Sequence, residues 1–342
     1  MRAKGDKVRT SGTGMVPRGV FATAPGKCIL FGEHAVVYGA PAVAVAIEQR
    51  MTLTLAPSTA WTVNGKALHD VKHPHIVSLM DRWGGQDVLQ PMEIVVGGAL
   101  PPASGLGSSA ALSAAFLRSL ERMTDRTVSE DEAGRWAHLA EADAQQGRAS
   151  PMDTSTSLLG GLVVLSNRKE EDLIHRYDRS LDTSEGTVAW SIHTLSTALE
   201  GVHLVIGNTG VHAPTTRQVQ RLAERLAKYP DQRQAIDAIE AITRRGLAAL
   251  KAGDAEAVGH AMSENHIVLR SLGVSSDALE RLIDAASPTS LGAKLTGAGG
   301  GGCMMALTRD PEATANAIEA AGGTAMVTAL SNPGAEASWL DA

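Results

Sequence analysis

The first half of the chain mixes strand-like and helix-like patterns of hydrophobic residues. Residues 42–55 are rich in Val, Ile, Leu and Thr, which predicts one or two strands, and residues 92–96 predict another short strand. The segment 110–120 is rich in Ala and Leu, which are strong helix formers, so it predicts a helix. Ser129, with Glu132 three residues later, forms a capping box and predicts the start of a second helix.

Two stretches interrupt this pattern. The strand-like segment that begins at Val20 is predicted to break at Pro25 and Gly26, because both residues are strong turn formers. Residues 167–186 are mostly polar and charged, which predicts a loop.

The second half is predicted to be helical first and to return to strands late. After Pro214 the pattern is almost entirely helical to about residue 286. The late elements are two strands around a glycine loop, a helix and a last strand: residues 292–296, 303–307, 311–321 and 324–330. This order predicts an α+β protein of two domains. The predicted divisions are a flexible extension, an N-terminal domain and a C-terminal domain: residues 1–19, 20–195 and 196–342.

Composition excludes several classes of function. The formal net charge of the 342 residues is −6 and aromatic residues are 3%, which counts against a nucleic-acid partner. No apolar run reaches the roughly 18 residues of a membrane span, and the first residues lack the apolar core of a secretory signal. Cys28 and Cys303 show no metal-ligand spacing. We therefore expect a cytoplasmic protein with reduced, buried thiols and no membrane partner.

The loop at residues 101–109 is the strongest local signal of chemistry. It is rich in Gly and Ser and opens directly into the predicted helix, so backbone N–H groups and the positive end of the helix dipole can bind phosphate. Gly105 and Gly107 permit close approach, while Ser108 and Ser109 add hydroxyl groups. The lysine of a Walker A loop is absent. The alternative is a turn that only caps a helix.

Residues 297–302 contain five glycines in six positions. So many glycines carry a large entropic cost on folding, and a tight hairpin needs only one or two. This run indicates a backbone that approaches a ligand or another loop closely; a flexible hairpin is the alternative.

Four titratable residues stand out near the other two glycine-containing segments. Lys27, Glu33 and His34 lie in an apolar stretch, where buried charges are costly unless they are paired or functional. Each could also be structural, and Asp153 could simply cap a short helix.

Three segments of the chain together resemble the three motifs of the GHMP kinase superfamily: residues 24–39, 101–111 and 294–303. The similarity extends from about residue 21 to the last predicted strand. Within the superfamily, the run from Gly32 to Gly39 and the segment Lys72-His73-Pro74 are most similar to the mevalonate kinase family.

The resemblance implies a fold and a reaction. The fold has an N-terminal domain with an unusual mixed sheet, a ferredoxin-like C-terminal domain and an active site in the cleft between them. The reaction is the phosphorylation of the 5-hydroxyl of mevalonate by ATP with Mg²⁺. The resemblance also implies a homodimer.

The resemblance also implies roles for individual residues. Asp153 matches the catalytic aspartate, and Lys27 matches the lysine beside it. The positions near mevalonate are matched by Glu33, His34, Ser150 and Thr209. The ATP loop is matched by Pro102, Ser104, Gly105, Leu106, Gly107, Ser108 and Ser109.

The magnesium ligands show one departure from the family pattern. Ser109 matches the first ligand, but Ala142 stands where the family has the second, a glutamate. Glu141 precedes this position and Asp143 follows it, and one residue turns a helical side chain by about 100°. A one-residue insertion before Gly147 would restore Glu141, so we predict Glu141 as the ligand, with Asp143 as the alternative.

Two other functions stay open at this point. A related kinase could act on phosphomevalonate or on the 3-hydroxyl of mevalonate, although retention of Lys27 and Asp153 favours the 5-hydroxyl. A phosphorylated acceptor would require additional Lys or Arg side chains. The second alternative is a non-catalytic ligand sensor on the same fold, which the displaced glutamate would favour.

Overall fold

The computed structural model describes residues 18–101, 104–145, 149–183, 186–196, 199–330 and 332–340. The strands are β1 Val20–Phe31, β2 Ala42–Pro57, β3 Thr62–Val63, β4 Lys66–Ala67, β5 Met92–Gly98, β6 Leu162–Ser166, β7 Ile174–Thr183, β8 Gly186–Leu195, β9 His203–Asn208, β10 Gly292–Leu295, β11 Cys303–Thr308, β12 Thr324–Thr328 and β13 Glu336–Trp339. The helices are α1 Pro74–Trp83, α2 Ser108–Thr124, α3 Glu130–Ala144, α4 Met152–Leu159, α5 Thr215–Lys228, α6 Gln234–Ala252, α7 Ala255–Ser271, α8 Asp277–Ala286 and α9 Pro311–Ala320.

The strands form two sheets, which confirms the α+β architecture. The first sheet has the order β4-β3-β5-β2-β6-β8-β7, and β1 pairs with both β2 and β13. It is mixed, because β3 and β5 are parallel while the other pairs are antiparallel. The second sheet has the order β10-β11-β9-β12 and is antiparallel.

Apolar side chains fill the spaces between these sheets and the helices. Phe31 and Phe116 lie at the centre of a large core that joins β1 and β2 to α1, α2 and α3. Leu269 and Leu282 belong to a second core that packs helices against the second sheet. The core thus rests mainly on aliphatic residues, in line with the low aromatic content.

Much of the predicted secondary structure is confirmed. α2 covers the Ala-rich segment, and the side chain of Ser129 caps α3 by accepting a hydrogen bond from the backbone N–H of Glu132. The segment after Pro214 is helical as far as Ala286, and β10 and β11 flank the glycine loop. In the part of the chain that the structure describes, no helix is both long and apolar enough to cross a membrane.

The predicted break at Pro25 and Gly26 is wrong. β1 continues through both residues, with a shift in its pairing to β2 between Pro25 and Lys27. A Cβ atom on Gly26 would lie 2.8 Å from the carbonyl oxygen of Leu106. The glycine therefore allows the backbone at Leu106 to pack directly on the strand.

The predicted loop at 167–186 is also wrong in its second half, where β7 forms. β7 pairs with β8 at the end of the first sheet. Its buried face carries Tyr177 and Arg179, between exposed Asp178 and Ser180. Arg179 occupies a buried position and pairs there with Asp131 at 2.6 Å. Because this buried residue is charged, the sequence of β7 does not show the alternation of apolar and polar residues that is typical of a strand.

A last strand beyond residue 330 was not predicted. β13 pairs with β1, so the chain returns to the first sheet after it has formed the second. The second sheet itself begins with His203, after the proposed division at residues 195 and 196. That division stays a proposal, and most of the predicted N-terminal extension, residues 1–17, lies outside the described residues.

Candidate active site

A cavity of about 320 Å³ lies where the start of α2, the start of α4 and the glycine loop after β10 meet. Most of the residues predicted for the site line it: Lys27, Glu33, His34, Gly105, Gly107, Ser108, Ser109, Glu141, Ser150 and Asp153. Sequence motifs that lie far apart in the chain, from Lys27 to Ala298, therefore converge on one space.

The loop predicted to bind ATP, called the phosphate loop below, opens directly into α2. Gly105 and Gly107 adopt φ angles of 80° and 74°, in the left-handed region that favours glycine. Gly107 is the N-cap of the 17-residue helix α2, so Ser108 and Ser109 form the start of its first turn. Free N–H groups of that turn and the helix dipole make this end of the cavity suitable for an anion.

The remaining residues of the predicted ATP loop support it from behind. Ser104 and Leu106 are buried, and the Ser104 hydroxyl donates a hydrogen bond to the carbonyl of Pro101 at 2.7 Å. Pro102 lies outside the described residues.

The second glycine loop packs against the first. A Cβ atom on Gly302 would lie 2.7 Å from the carbonyl oxygen of Ser104, and one on Gly297 would lie 3.1 Å from that of Gly105. The expectation that this glycine run approaches another loop closely is confirmed. The two loops together form one wall of the cavity.

Lys27 and Asp153 form an ion pair at the bottom of the cavity. Nζ of Lys27 lies 3.1 Å from Oδ1 of Asp153 and donates a hydrogen bond to the carbonyl of Gly105 at 3.0 Å. Asp153 lies within α4, whose N-cap is Pro151, so Asp153 does not cap this helix. The pair therefore joins the phosphate loop to the start of α4.

Burial raises the pKa of Asp153 above its ordinary value, although the Lys27 ammonium opposes this rise. The carboxyl group is enclosed by protein on most sides, and the 36% of its side chain that is open lies at the cavity. A positive neighbour alone would have kept the pKa low. The net direction makes Asp153 a stronger base than an ordinary aspartate.

Glu141 reaches the cavity from α3 and contacts Ser109. The Ser109 hydroxyl donates to Oε1 of Glu141 at 2.9 Å, and Gln145 donates to the same oxygen. Nε2 of His75 lies 3.1 Å from Oε2, as an ion pair whose alignment is not that of a regular hydrogen bond. Burial alone would raise the pKa of Glu141, but His75, Ser109 and Gln145 outweigh it and hold the pKa below its ordinary value.

Asp143 points elsewhere. Its carboxylate accepts hydrogen bonds from Arg82 at 2.9 Å and from Ser78 at 3.0 Å, both on α1, and it does not line the cavity. Of the two carboxylates considered for the metal, the structure brings only Glu141 to Ser109.

Glu33 and His34 line the cavity, and His34 contacts the second glycine loop. Glu33 forms an ion pair with Lys294 on β10, and both side chains are fully buried. Nε2 of His34 donates a hydrogen bond to the carbonyl of Ala298 at 3.0 Å, and burial lowers the pKa of His34 to about 4. His34 is therefore neutral at neutral pH.

Thr209 is not brought into the cavity lining. Its hydroxyl donates to the carbonyl of Gly302 at 2.8 Å and accepts from the N–H of Val211 at 3.2 Å. In this structure it supports the second glycine loop.

Sequence reasoning missed several residues of the site. Lys294 lies in the third motif, but only its position in the fold shows that it contacts Glu33. His75 directly follows Lys72-His73-Pro74, which drew attention only as a family signature. Thr215 and Val219 line the cavity from α5, and their spacing of four residues on a helix was the available signal.

Comparison with known proteins gives consistent results. The family model for the GHMP kinase N-terminal domain matches residues 72–161, and the model for the C-terminal domain matches residues 247–326. Mevalonate kinase of Methanothermobacter thermautotrophicus is 35% identical over 294 residues, which cover 83% of this chain and 89% of that protein. Mevalonate kinase of Pyrococcus abyssi is 30% identical over 355 aligned positions, which cover 93% of this chain and 98% of that protein.

Solved structures show the same fold. Mevalonate kinase of Methanococcus jannaschii matches with a TM-score of 0.73 at 23% identity, covering 94% of this chain and all of that one. L. major mevalonate kinase in complex with R-mevalonate matches with a TM-score of 0.71 at 24% identity, covering 90% of this chain and 94% of that one.

Proposed function

This chain belongs to the mevalonate kinase family of the GHMP kinases, and from that premise we propose that it transfers the γ-phosphoryl group of ATP to the 5-hydroxyl of (R)-mevalonate. The observation that carries the proposal is the Lys27–Asp153 ion pair, which lies directly below a phosphate-binding loop in a single cavity. Phosphoryl transfer needs a base for the acceptor hydroxyl close to the site that holds the phosphates.

The phosphate loop and the start of α2 would hold the ATP triphosphate. Phosphoryl transfer asks the protein mainly for positioning and for stabilisation of charge. Gly105 and Gly107 carry no Cβ atoms that would block the phosphates, and Ser108 and Ser109 line the cavity.

Lys27 and Asp153 would act on the acceptor hydroxyl. The hydroxyl oxygen forms a bond to the γ-phosphorus, the bond from that phosphorus to ADP breaks, and the hydroxyl proton passes to the Asp153 carboxylate. Lys27 stabilises the negative charge that develops between the phosphoryl group and the acceptor oxygen. Its hydrogen bond to the Gly105 carbonyl fixes the ammonium group at the junction of the two substrates.

The residues at Ser109 and Glu141 fit a magnesium ion. Mg²⁺ prefers one or two protein oxygen ligands together with substrate phosphates. Oε2 of Glu141 is a buried carboxylate oxygen that forms an ion pair with His75 but no regular hydrogen bond among the described residues, and the lowered pKa keeps it ionised. When bound, Mg²⁺ would neutralise phosphate charge; Ser109 and Glu141 would hold it.

The lining of the cavity favours an acceptor without a phosphate group. Among the described residues that line it, Lys27 is the only Lys or Arg, and it is already paired with Asp153. A phosphorylated acceptor would need further cationic side chains. Phosphomevalonate is therefore the less suitable acceptor, and the complete Lys27–Asp153 pair argues against a sensor without catalytic activity.

The test is ADP release by the purified protein with Mg²⁺, with mevalonate, phosphomevalonate, homoserine and galactose offered separately. We expect turnover with mevalonate alone, and phosphorus NMR of the product should show a phosphate ester on the 5-hydroxyl. ATP binding without turnover of any of the four would overturn the proposal and favour a sensor or another acceptor.

Two further properties implied by the family remain predictions. A homodimer would be seen by light scattering of the purified protein, and a cytoplasmic location would be seen by fractionation of the source cells. Neither is needed for the chemistry above, since every proposed catalytic group comes from one chain.

A further inference from the structure

A buried ammonium group lies behind Glu33, which lines the cavity, and the mechanism above does not use it. The Lys294 side chain is 0% exposed and that of Glu33 is 1% exposed. Nζ of Lys294 donates to Oε1 of Glu33, to the carbonyl of Ile29 at 3.3 Å and to the carbonyl of Leu295 at 2.6 Å. An ammonium group has three donors, and all three are used here.

Glu33 is held from a second side as well. Nδ2 of Asn265, on α7, donates to Oε2 of Glu33 at 3.2 Å, and Asn265 is fully buried. Each carboxylate oxygen thus accepts a hydrogen bond from a different element of the C-terminal half of the chain. Glu33 lines the cavity, yet its polar atoms are directed into the protein.

This network holds a strained turn in place. His34 follows Glu33 and has a φ angle of 62°, which is unfavourable for a residue with a side chain. Such a conformation persists only where the surrounding contacts enforce it. Two neighbouring contacts act together with the ion pair: the N–H of Ile29 donates to Thr296 Oγ1 at 2.8 Å, and His34 donates to the carbonyl of Ala298.

We propose that Lys294 and Asn265 are positioning residues that fix the Glu33–His34 turn against the acceptor half of the cavity. The inference rests on the proposed function, because acceptor binding is what the turn would control. Two of the three hydrogen bonds of Lys294 go to Ile29 and Glu33. Because Glu33 and His34 match the family positions near mevalonate, we expect the network to affect the acceptor more than the nucleotide.

A purely structural ion pair makes a different prediction. Removing one partner leaves an uncompensated buried charge and destabilises the fold, whereas replacing both partners by uncharged residues is often nearly neutral. If the ion pair is purely structural, stability and acceptor binding should therefore both recover in the double variant. A positioning network predicts that stability recovers in the double variant while acceptor binding does not.

The experiment compares Lys294→Met, Glu33→Gln and the double variant with the wild type. We expect Lys294→Met to lower Tm by roughly 5–10 °C and to raise KM for mevalonate about tenfold or more. The double variant should recover most of the Tm and keep the raised KM, with the Kd for ATP within about twofold of wild type in every variant that folds. The double variant also keeps the test decisive if Lys294→Met alone does not fold.

Lys251→Met is the matched control, because Lys251 is a partly exposed lysine on α6 that pairs with Asp172 at 3.5 Å, away from the cavity lining. It should leave both Tm and KM close to wild type. A double variant with wild-type KM would overturn the positioning role. If the wild type itself did not turn over mevalonate, the proposed function would fail first and this inference with it.

Discussion

The ammonium of Lys27 lies 3.1 Å from the carboxylate of Asp153, and it donates its other observed hydrogen bond to the carbonyl of Gly105. One side chain thus connects the proposed base to the loop that would hold the phosphates. Any movement of that loop would also move the charge beside Asp153. The predictions below follow from this connection and from the contacts around it.

Asp153→Asn should lower kcat by roughly 10²–10⁴-fold, because an amide cannot take the proton of the acceptor hydroxyl. ATP binding should change little, since the phosphate loop is untouched. Steady-state kinetics with mevalonate and calorimetric titration with ATP measure the two effects. Asp172→Asn, at an exposed surface position, is the control; a near-normal kcat for Asp153→Asn would remove Asp153 from the mechanism.

The pH profile should report the raised pKa of Asp153. Activity needs the ionised carboxylate, so kcat/KM should fall as the pH falls through that pKa. Because burial raises the pKa, the fall should begin above the ordinary aspartate value of about 3.9. Lys27 opposes the rise, so Lys27→Met should move the acid limb to still higher pH and also lower kcat.

Lys27→Arg keeps the positive charge and is the matched variant for that profile. Its acid limb should stay closer to that of the wild type than the limb of Lys27→Met does. An acid limb that is the same in all three proteins would show that Asp153 does not set it.

Glu141→Gln should raise the concentration of Mg²⁺ needed for half-maximal activity by about tenfold or more, because it removes a charged ligand. Asp143→Asn should leave this requirement nearly unchanged, since Asp143 is bound to Arg82 and Ser78 outside the cavity. Titration of activity with Mg²⁺ at fixed ATP measures both. If Asp143→Asn raised the Mg²⁺ requirement and Glu141→Gln did not, Asp143 would be the ligand.

The phosphate loop was predictable because its requirements are local. Gly105 and Gly107 ahead of an Ala-rich segment indicate a loop that opens into a helix, and α2 begins at Ser108, directly after Gly107. The same holds for the second glycine loop, where the number of glycines indicated a close approach of two backbones.

Other parts of the site depend on long-range geometry. Whether Glu141 or Asp143 faces the cavity depends on the rotation of α3, which is set by packing rather than by local sequence. The Lys294–Glu33 pair joins residues 261 positions apart, so no window of sequence contains it. β7 was missed for a related reason, since the buried Arg179 pairs with Asp131 on α3, which is 48 residues away in the chain.

Gly107→Ala tests whether the close approach at the loop matters for catalysis. A Cβ atom there would lie 3.1 Å from Cγ of Lys27, 3.3 Å from Cε and 3.7 Å from Oδ2 of Asp153. The new methyl group should displace the Lys27 side chain, and we expect kcat/KM to fall about tenfold or more. The positive φ angle should also cost about 1–2 kcal/mol of unfolding free energy.

Gly65→Ala separates these two effects, because Gly65 has a similar φ angle of 72° and no atom within 4 Å of the added Cβ. It should lose a comparable unfolding free energy in chemical denaturation and keep the kcat/KM of the wild type. If Gly107→Ala also kept it, the Lys27 side chain would have to tolerate displacement. The ion pair with Asp153 would then be less important for phosphoryl transfer than its position below the loop suggests.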